Sequence, residues 1–492
     1  MKATKPVLLL IASLLLGEVG YADWPQFRGN NSDGIGSGSP PIAFGPNKNV
    51  RWKTPLAPGH SSPCLAGDRI FVTTCHAKDR SLSVVCLSRD NGEVLWEYSV
   101  TVDELEKGHP SFNPASSSPC CDGERVVAYF GSYGLLCLDH EGKPLWEKRL
   151  PLTKSFAGNA ASPMIVGDKL ILYRGNYVDH YLLCLDKRTG NELWRVPQSE
   201  KFTGEMACTA CPIIAGDRLI CHSARSVQAF DIDTGERLWI AGVATTATST
   251  PIIAGNEVVV AGWNKLGEPS LRPPIPNFEK LLESSDMNGD QLIGRTELPK
   301  LWIFHRPDGA EAPMNGGTVT FRMADKNRDG KIQREEWIGV VQGISKFRDG
   351  YESHGLLAIP LDSVGLVSPD VMRTLTEKGI PEVPSPVSDG DHVYLVKNGG
   401  LLTCLNLMTG ETTSRVRTRG SGTHYASPLI AGGNLYTFAG DGRVSVLSLG
   451  ARPKILEVNE MEDGVYATPA IGDGVIYLRT HSALYAFAKE QE

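Results

Sequence analysis

Two twelve-residue stretches in the middle of the chain carry oxygen-donor side chains at regular spacing. In the second, residues 325–336, side-chain oxygens stand at positions 1, 3, 5 and 12, a glycine at position 6 and an isoleucine at position 8. Such a loop can wrap a Ca²⁺ ion, because its turn brings alternate residues inward and the last carboxylate clamps the ion with two oxygens. The expected ligands are Asp325, Asn327, Asp329, Lys331 through its backbone carbonyl, Gln333 directly or through water, and Glu336.

The first stretch, residues 286–297, has the same donors but departs from the pattern at two positions. Its expected ligands are Asp286, Asn288, Asp290, Leu292 through its backbone carbonyl, and Glu297. Position 6 is Gln291, and a residue other than glycine at positive φ costs about 1 kcal/mol. Position 9 is Gly294, which offers no side-chain ligand. We therefore expect this loop to bind Ca²⁺ more weakly than the second, or only together with it.

The surroundings of both loops resemble an EF-hand pair. Hydrophobic periodicity predicts amphipathic helices over residues 277–285 and 335–347, and Ile332 is expected to form a short β contact with the partner loop. Asp-Asn-Gly turns can mimic such loops by chance, but two in tandem, each with glutamate at position 12, favour real calcium loops. The segment 316–320 before the second loop is a poor helix former.

A short sequence motif that is repeated eight times indicates the fold that must carry the two acidic loops. Each copy has Ser, Thr or Cys before a proline, then an apolar pair, Gly-Asp or a variant, and a β-rich run. The prolines are 56, 44, 49, 39, 135, 42 and 41 residues apart. A period of about 40–45 residues is typical of four-stranded propeller blades. We predict an all-β, eight-bladed β-propeller whose fifth blade carries the α-helical insertion at 265–353. The eight copies are Ser62-Pro63, Ser118-Pro119, Ser162-Pro163, Cys211-Pro212, Thr250-Pro251, Ser385-Pro386, Ser427-Pro428 and Thr468-Pro469.

The ends of the repeats predict how the ring is closed. Early repeats end in a Gly-containing turn and a strand with tryptophan, expected to fill the space between blades. The last repeat lacks this fourth strand, whereas the strand around Trp52 has no preceding strands of its own. We therefore expect residues 50–56 to complete the last blade, which would leave no exposed sheet edge.

Composition and the first residues indicate an exported folded protein. Lysines, a short apolar run and small residues predict a cleaved signal peptide over residues 1–22, hence a periplasmic or secreted protein with no membrane span. A net charge of −7 argues against a nucleic-acid partner. The expected organisation continues with an N-terminal arm at 23–49, propeller segments at 50–264 and 354–492, and the EF-hand insertion between them.

The eleven cysteines are interpreted mainly as small buried apolar residues. Several recur at equivalent positions in different blades, which would be too far apart to bridge. Cys120-Cys121 and Cys208-x-x-Cys211 are the exceptions, since vicinal and CxxC cysteines can form redox pairs or half of a zinc site.

The repeats resemble the tryptophan-docking repeats of the quinoprotein, PQQ-like propeller superfamily. The resemblance lies in residues 185–194 and 230–239, and in Asp23-Trp24-Pro25-Gln26-Phe27-Arg28-Gly29, which is similar to the start of secreted planctomycete-type members. It implies two alternatives. One is a non-catalytic binding or scaffold propeller, similar to BamB, with a protein or glycan partner on one face. The other is a PQQ-dependent dehydrogenase of sugars or alcohols. No residue matches a PQQ-binding motif, so the first alternative is preferred.

The segments that precede each motif proline are candidates for a binding surface. They connect an outer strand to the next inner strand and should converge near the axis on one face of the ring. Polar connecting loops without any ligand remain the alternative. The candidate residues are His60, His109, Asn113, Asn159, Glu205, Thr245–Thr248, Glu382, His424, Tyr425 and Tyr466.

Overall fold

The chain folds into eight β-sheets arranged as the blades of a propeller, which confirms the predicted fold class. The computed structural model describes residues 23–198, 207, 209–305, 316–350 and 353–490. The predicted signal segment, Glu205 and Cys208 lie outside these ranges. Each motif proline leads into the short first strand of a blade, and antiparallel neighbours follow in chain order.

In each blade the outermost strand alternates more buried and more exposed residues. The second and third strands are buried on both faces. Blade 1 consists of Cys64–Ala66, Arg69–His76, Ser81–Ser88 and Val94–Thr101; blade 2 of Cys120–Cys121, Arg125–Phe130, Gly134–Asp139 and Pro144–Arg149; blade 3 of Met164–Val166, Lys169–Arg174, Tyr181–Asp186 and Glu192–Pro197. Blade 4 consists of Ile213–Ala215, Arg218–His222, Ser226–Asp231 and Arg237–Gly242; blade 5 of Ile252–Ala254, Glu257–Gly262, Gly355–Pro360 and Arg373–Thr376; blade 6 of Val387–Ser388, His392–Lys397, Leu401–Asn406 and Thr412–Arg417. Blade 7 consists of Leu429–Ala431, Asn434–Phe438, Arg443–Ser448 and Ile455–Glu460, and blade 8 of Ala470–Gly472, Val475–Arg479, Ala483–Phe487 and Val50–Pro55.

The ring is closed by a strand from the N-terminal part of the chain, as predicted. Val50–Pro55 pairs antiparallel with Ala483–Phe487, and Trp52 lies opposite Ala486. The Trp52 indole N–H donates to the carbonyl of Arg89 in blade 1. The same strand therefore completes blade 8 and contacts blade 1, so the joint between the two ends of the chain is also a blade interface.

Tryptophan side chains connect consecutive blades in the early part of the ring. Trp146 of blade 2 donates to the carbonyl of Lys187 in blade 3 and packs on Gly190, whose φ is +71°. Trp96 and Trp194 make the equivalent contact with the next blade. A side chain at the glycine would collide with the indole, so the turn and the tryptophan require each other.

Two details of the blades were not evident from the repeats. In blade 7 the position equivalent to tryptophan is Glu457, which lies opposite Val446. Blade 4 gains a fifth strand, Gly365–Val367, which runs parallel to Arg237–Gly242. Three residues with two exposed side chains carry too little periodicity to reveal such a strand in the sequence.

The N-terminal arm, residues 23–49, crosses one face of the ring. Trp24 pairs with Leu65 of blade 1, and the carbonyl of Pro25 accepts from the amide of Cys121 in blade 2. Arg28 donates to the carbonyls of Ser385 and Pro386 in blade 6. The chain between these contacts therefore passes over the propeller axis.

In its described residues, the insertion in blade 5 contains three α-helices and its own apolar core. The helices are α1, Phe278–Ser285; α2, Phe321–Ala324; and α3, Arg334–Asp349. Its short strands are Ile293–Gly294, Trp302–His305, Gly316–Thr318 and Lys331–Ile332, and 3-10 turns lie at Pro269–Leu271 and, beyond the insertion, Pro369–Val371. Helices α1 and α3 match the two predicted helices, and α2 is a single turn, in agreement with the poor helix propensity before it.

The ten described cysteines are all buried and unbridged. Those at equivalent positions lie in different blades, as expected for small apolar core residues. Within the described part of the chain, no helix combines the length and apolar character needed to cross a bilayer.

Candidate functional site

The second acidic loop of the insertion has the backbone course of an EF-hand loop. Gly330 turns the chain with φ +87°. Its amide donates to Asp325 Oδ2 at 3.1 Å, and the Asp329 amide donates to Asn327 Oδ1 at 2.9 Å. The Glu336 carboxylate accepts the amides of Lys326, Asn327 and Gln333. The loop is therefore drawn together around its own side-chain oxygens.

One oxygen of this loop lacks a partner although it is buried. Asp325 is 7% exposed, and its Oδ1 accepts no hydrogen bond. An unpartnered buried carboxylate oxygen is costly unless a cation faces it. Among the described residues, no group of three or more His, Cys, Asp or Glu side chains stands in a metal-holding arrangement. The donor types, their spacing and the unsatisfied oxygen of Asp325 nevertheless fit a Ca²⁺ ion.

The first loop pairs with the second and has one donor occupied by a cation of the chain. Ile293 lies opposite Ile332 in a two-residue bridge, which confirms the expected β contact. Gln291 has φ +62°, the conformation expected to be strained. The Lys331 ammonium lies 2.7 Å from Asp290 Oδ2. A Ca²⁺ ion in this loop would compete with Lys331 for Asp290, which adds a second reason for weaker binding.

The second feature is a pocket on the propeller axis, lined by all eight blades. Its cavity volume is about 190 Å³. Two positions of every repeat line this pocket. The residue directly before each motif proline forms the lower ring, and the residue three positions before the same proline forms the upper ring. The lower ring consists of Ser62, Ser118, Ser162, Cys211, Thr250, Ser385, Ser427 and Thr468; the upper ring of His60, Ser116, Ala160, Thr209, Thr248, Val383, Tyr425 and Tyr466.

The lower ring is a chain of hydrogen bonds from blade to blade. The Ser62 amide donates to Ser118 Oγ, and the Ser118 amide donates to Ser162 Oγ, both at 2.9 Å. The same bond recurs from Cys211 to Thr250 and onward through Ser385 and Ser427 to Thr468, each at 3.0 Å. At Cys211 the thiol sulfur accepts instead. The residue before each proline therefore fixes neighbouring blades around the axis.

The N-terminal arm closes the lower end of the pocket. Asp23 accepts from the amide of Gly67, and the Ser37 carbonyl accepts from that of Gly474; both glycines lie in turns between first and second strands. The loops before the motif prolines lie at the opposite end of the first strands. Phe27 of the arm lines the pocket. The pocket is thus closed at the arm and open at the face of the connecting loops.

Aromatic side chains form one wall of the open end. Tyr466 contacts Tyr425 at 5.0 Å between ring centroids, His60 at 5.2 Å and His481 at 4.5 Å. These residues belong to blades 7, 8 and 1. Burial, together with the charges of Arg479 and His481, lowers the pKa of His60 to about 4, so its ring is neutral at pH 7. On the other five blades the upper ring has only small or aliphatic residues.

The structure brings four of the sequence candidates into the lining of the pocket, namely His60, Thr248, Tyr425 and Tyr466. His109 bonds Ser111 Oγ, and Asn113 caps a turn at Ala115; both lie in the connecting segment outside the lining. His424 is 1% exposed and is not among the lining residues, and Glu205 lies outside the described residues.

The residues that sequence reasoning missed share a signal that was present in the repeats. Counting three residues back from each motif proline identifies the whole upper ring. Phe27, Ser111 and Phe112 have no such signal, because the arm and one connecting segment bring them to the pocket only in the fold.

Asn159 belongs to a buried network behind the wall of the pocket. The backbone amide of Asn159 donates to Glu106 Oε1 at 2.7 Å, and its side-chain amide donates to Ser117 Oγ at 2.7 Å. Glu106 is 5% exposed, and its Oε2 accepts no hydrogen bond. Burial raises the pKa of Glu106 to about 8, against the bond from Asn159 and the charge of Arg174, which lower it. Its carboxyl is therefore largely protonated at pH 7.

Comparison with known families identifies the repeats and one acidic loop. Residues 176–268 match the family model described as outer membrane protein assembly factor BamB, and residues 318–341 match the EF-hand model. No curated protein matches the chain significantly.

Solved structures show the same fold at low sequence identity. BamB from Moraxella catarrhalis is 14% identical, with 89% of this chain and 98% of that chain covered and a TM-score of 0.50. Quinohemoprotein alcohol dehydrogenase from Comamonas testosteroni is 13% identical, with 96% and 81% covered and a TM-score of 0.55. A europium-containing methanol dehydrogenase is 12% identical, with 95% and 98% covered and a TM-score of 0.52. Taken together, these findings show that this chain is an eight-bladed β-propeller in which residues 176–268 match the BamB family model and residues 318–341 match the EF-hand model.

Proposed function

We propose that the protein is an exported, calcium-binding β-propeller that acts as a non-catalytic binding or scaffold module. Its protein or glycan partner would dock at the open face of the ring. The observation that carries this proposal is the axial pocket, which has one open end and no charged side chain among its described lining residues. Such a pocket can hold a neutral group of a partner and has no carboxylate placed to act as a base on it.

The calcium part of the proposal rests on the second EF-hand loop. Asp325, Asp329 and Glu336 would hold Ca²⁺ with side-chain oxygens, and Lys331 would add its carbonyl. In the first loop Asp286, Asn288, Asp290, Leu292 and Glu297 would bind more weakly. An ion in the second loop would tie the end of α2 to the start of α3, a structural role consistent with an exported protein in millimolar Ca²⁺.

The alternative function, a PQQ-dependent dehydrogenase, is supported by the shared fold alone. PQQ carries three carboxylates, and a buried anion needs cationic partners or a bound metal. No arginine, lysine, aspartate or glutamate lies among the described lining residues of the axial pocket. Arg28, which follows Phe27 in the chain but is not among the lining residues, donates to the carbonyls of Ser32, Asp33, Ser385 and Pro386. The residues present therefore do not fit PQQ.

Reconstitution separates the two functions. The purified full chain is incubated with PQQ and Ca²⁺, desalted, and examined for quinone absorbance and for dye reduction with sugars and alcohols as substrates. A binding module retains no stoichiometric PQQ and reduces no dye. One PQQ retained per chain together with substrate-dependent dye reduction would overturn the proposal.

A further inference from the structure

We propose that the axial pocket binds a single neutral sugar ring, stacked on the Tyr425–Tyr466–His60 wall with its hydroxyl groups on the lower ring. This inference rests on the proposed function and names the chemical class of ligand that the open face takes. It is carried by the shape of the pocket, its lack of charge, and the different chemistry of its wall and its floor.

The upper ring is asymmetric in a way that makes room for a flat ligand. Large rings stand on three consecutive blades, whereas blades 2 to 6 contribute Ser116, Ala160, Thr209, Thr248 and Val383. Phe112, next to Gly158, lines the pocket from the connecting segment between blades 1 and 2. A ring that lies in the space above the small residues therefore has an aromatic face beside it. A volume of about 190 Å³ is below the usual range for drug-sized ligands and suits one six-membered ring.

The lower ring presents hydroxyl protons to the ligand. Each hydroxyl that accepts a neighbouring backbone amide has used a lone pair and keeps its O–H proton to donate. This holds for Ser118, Thr250, Ser385, Ser427 and Thr468. Ser162 instead directs its O–H toward the Ala160 carbonyl at 3.5 Å. A ring of donors matches a ligand with several acceptor oxygens on one side, as sugar hydroxyl groups provide.

The electrostatics favour a neutral ligand over an anion. Two buried arginines donate to backbone carbonyls, Arg28 as described above and Arg479 through Nη1 to Ser61 and Thr73, and neither lines the pocket. His60 is neutral above about pH 4. A carboxylate in this pocket would be desolvated without a facing cation, whereas the hydroxyl groups of a neutral sugar exchange water for the lower ring.

The test is titration of the calcium-loaded full chain with methyl glucoside, methyl galactoside, methyl mannoside and sodium glucuronate, followed by calorimetry and saturation-transfer NMR. We expect at least one neutral glycoside to bind and to receive saturation from aromatic protons. Tyr466→Ala should weaken that binding at least tenfold, and Ala160→Phe should abolish it by filling the space. Tyr98→Ala removes a partly buried tyrosine of an outer strand and should leave the affinity unchanged.

The outcomes distinguish failure of this inference from failure of the proposed function. Binding of glucuronate but no neutral glycoside, binding of no probe, or unchanged binding in both pocket variants would overturn the sugar assignment. None of these results restores a PQQ enzyme, since the reconstitution experiment decides that question on the same preparation. If that experiment gives turnover, the proposed function fails whatever the glycosides do.

Discussion

At the scale of single residues, we expect the glutamate at position 12 to decide whether the second loop binds calcium. Glu336 is positioned by three backbone amides; although its partial burial would raise its pKa, these bonds hold the pKa below the usual value. The carboxylate is therefore ionised at pH 7 and placed at the start of α3. The sequence pattern alone proposes Glu336 as a ligand, because an EF-hand loop encodes its expected ligands locally.

Replacement of Glu336 by Gln should remove most of the calcium binding of the second loop, because an amide offers one neutral oxygen in place of a bidentate carboxylate. Calorimetric titration of Ca²⁺ should show an affinity at least tenfold lower. Glu335→Gln changes the neighbouring charge, outside the ligand positions, and serves as the control. Equal heats for wild type and Glu336→Gln would contradict its assignment as a ligand.

Glu106 predicts a pH dependence of stability. Its pKa is about 8 in the folded chain and near 4.5 when the chain is unfolded. The unfolded state therefore loses this proton first, and stability falls as pH rises from about 5 to 8, by up to about 1.4 kcal/mol per pH unit. Glu106→Gln should flatten the dependence of the unfolding midpoint over this range. The exposed Glu104→Gln should leave the slope unchanged; a wild-type slope retained in Glu106→Gln would show that other groups cause it.

At the scale of elements, the turn after the third strand and the tryptophan of the preceding blade form one unit. The recurrence of a Gly-containing turn followed by tryptophan predicted that the indoles fill the space between blades, whereas the contact of each indole with the turn of the next blade became visible only in the fold. The complete upper ring of the pocket and the extra strand Gly365–Val367 could not be predicted from the sequence, because the first depends on how eight loops converge and the second on three residues with little pattern.

Alanine substitutions at two glycines separate the free-energy cost of crowding a tryptophan from the cost of backbone strain. Gly190 and Gly216 have φ of +71° and +63°, but only at Gly190 would a Cβ meet an indole, at 2.7 Å from Trp146. Gly216→Ala should cost about 1 kcal/mol for its conformation alone. Gly190→Ala should cost at least about 2 kcal/mol, because overpacking adds to the strain. Denaturant unfolding measures both; equal losses would show that the tryptophan contact adds little.

At the scale of the whole molecule, the number of blades and the closure of the ring followed from counting motifs. That reasoning succeeded because a Ser, Thr or Cys precedes the proline at the start of every blade, and because the last repeat lacks a fourth strand of its own. The single-ended axial pocket was not foreseen, since its closure depends on the arm crossing from blades 1 and 2 to blade 6. The residues that close the pocket are far apart in the chain, and no local sequence pattern indicates that they come together.

The most direct test of the account is an electron-density map of the full chain, purified from its native source with its ligands retained and without chelator. We predict a Ca²⁺ ion held by Asp325, Asp329 and Glu336, and an axial pocket that contains water or a neutral hydroxylated ligand above Phe27. Density for PQQ on the axis, or a second EF-hand loop whose carboxylates hold no ion in the presence of millimolar Ca²⁺, would contradict it.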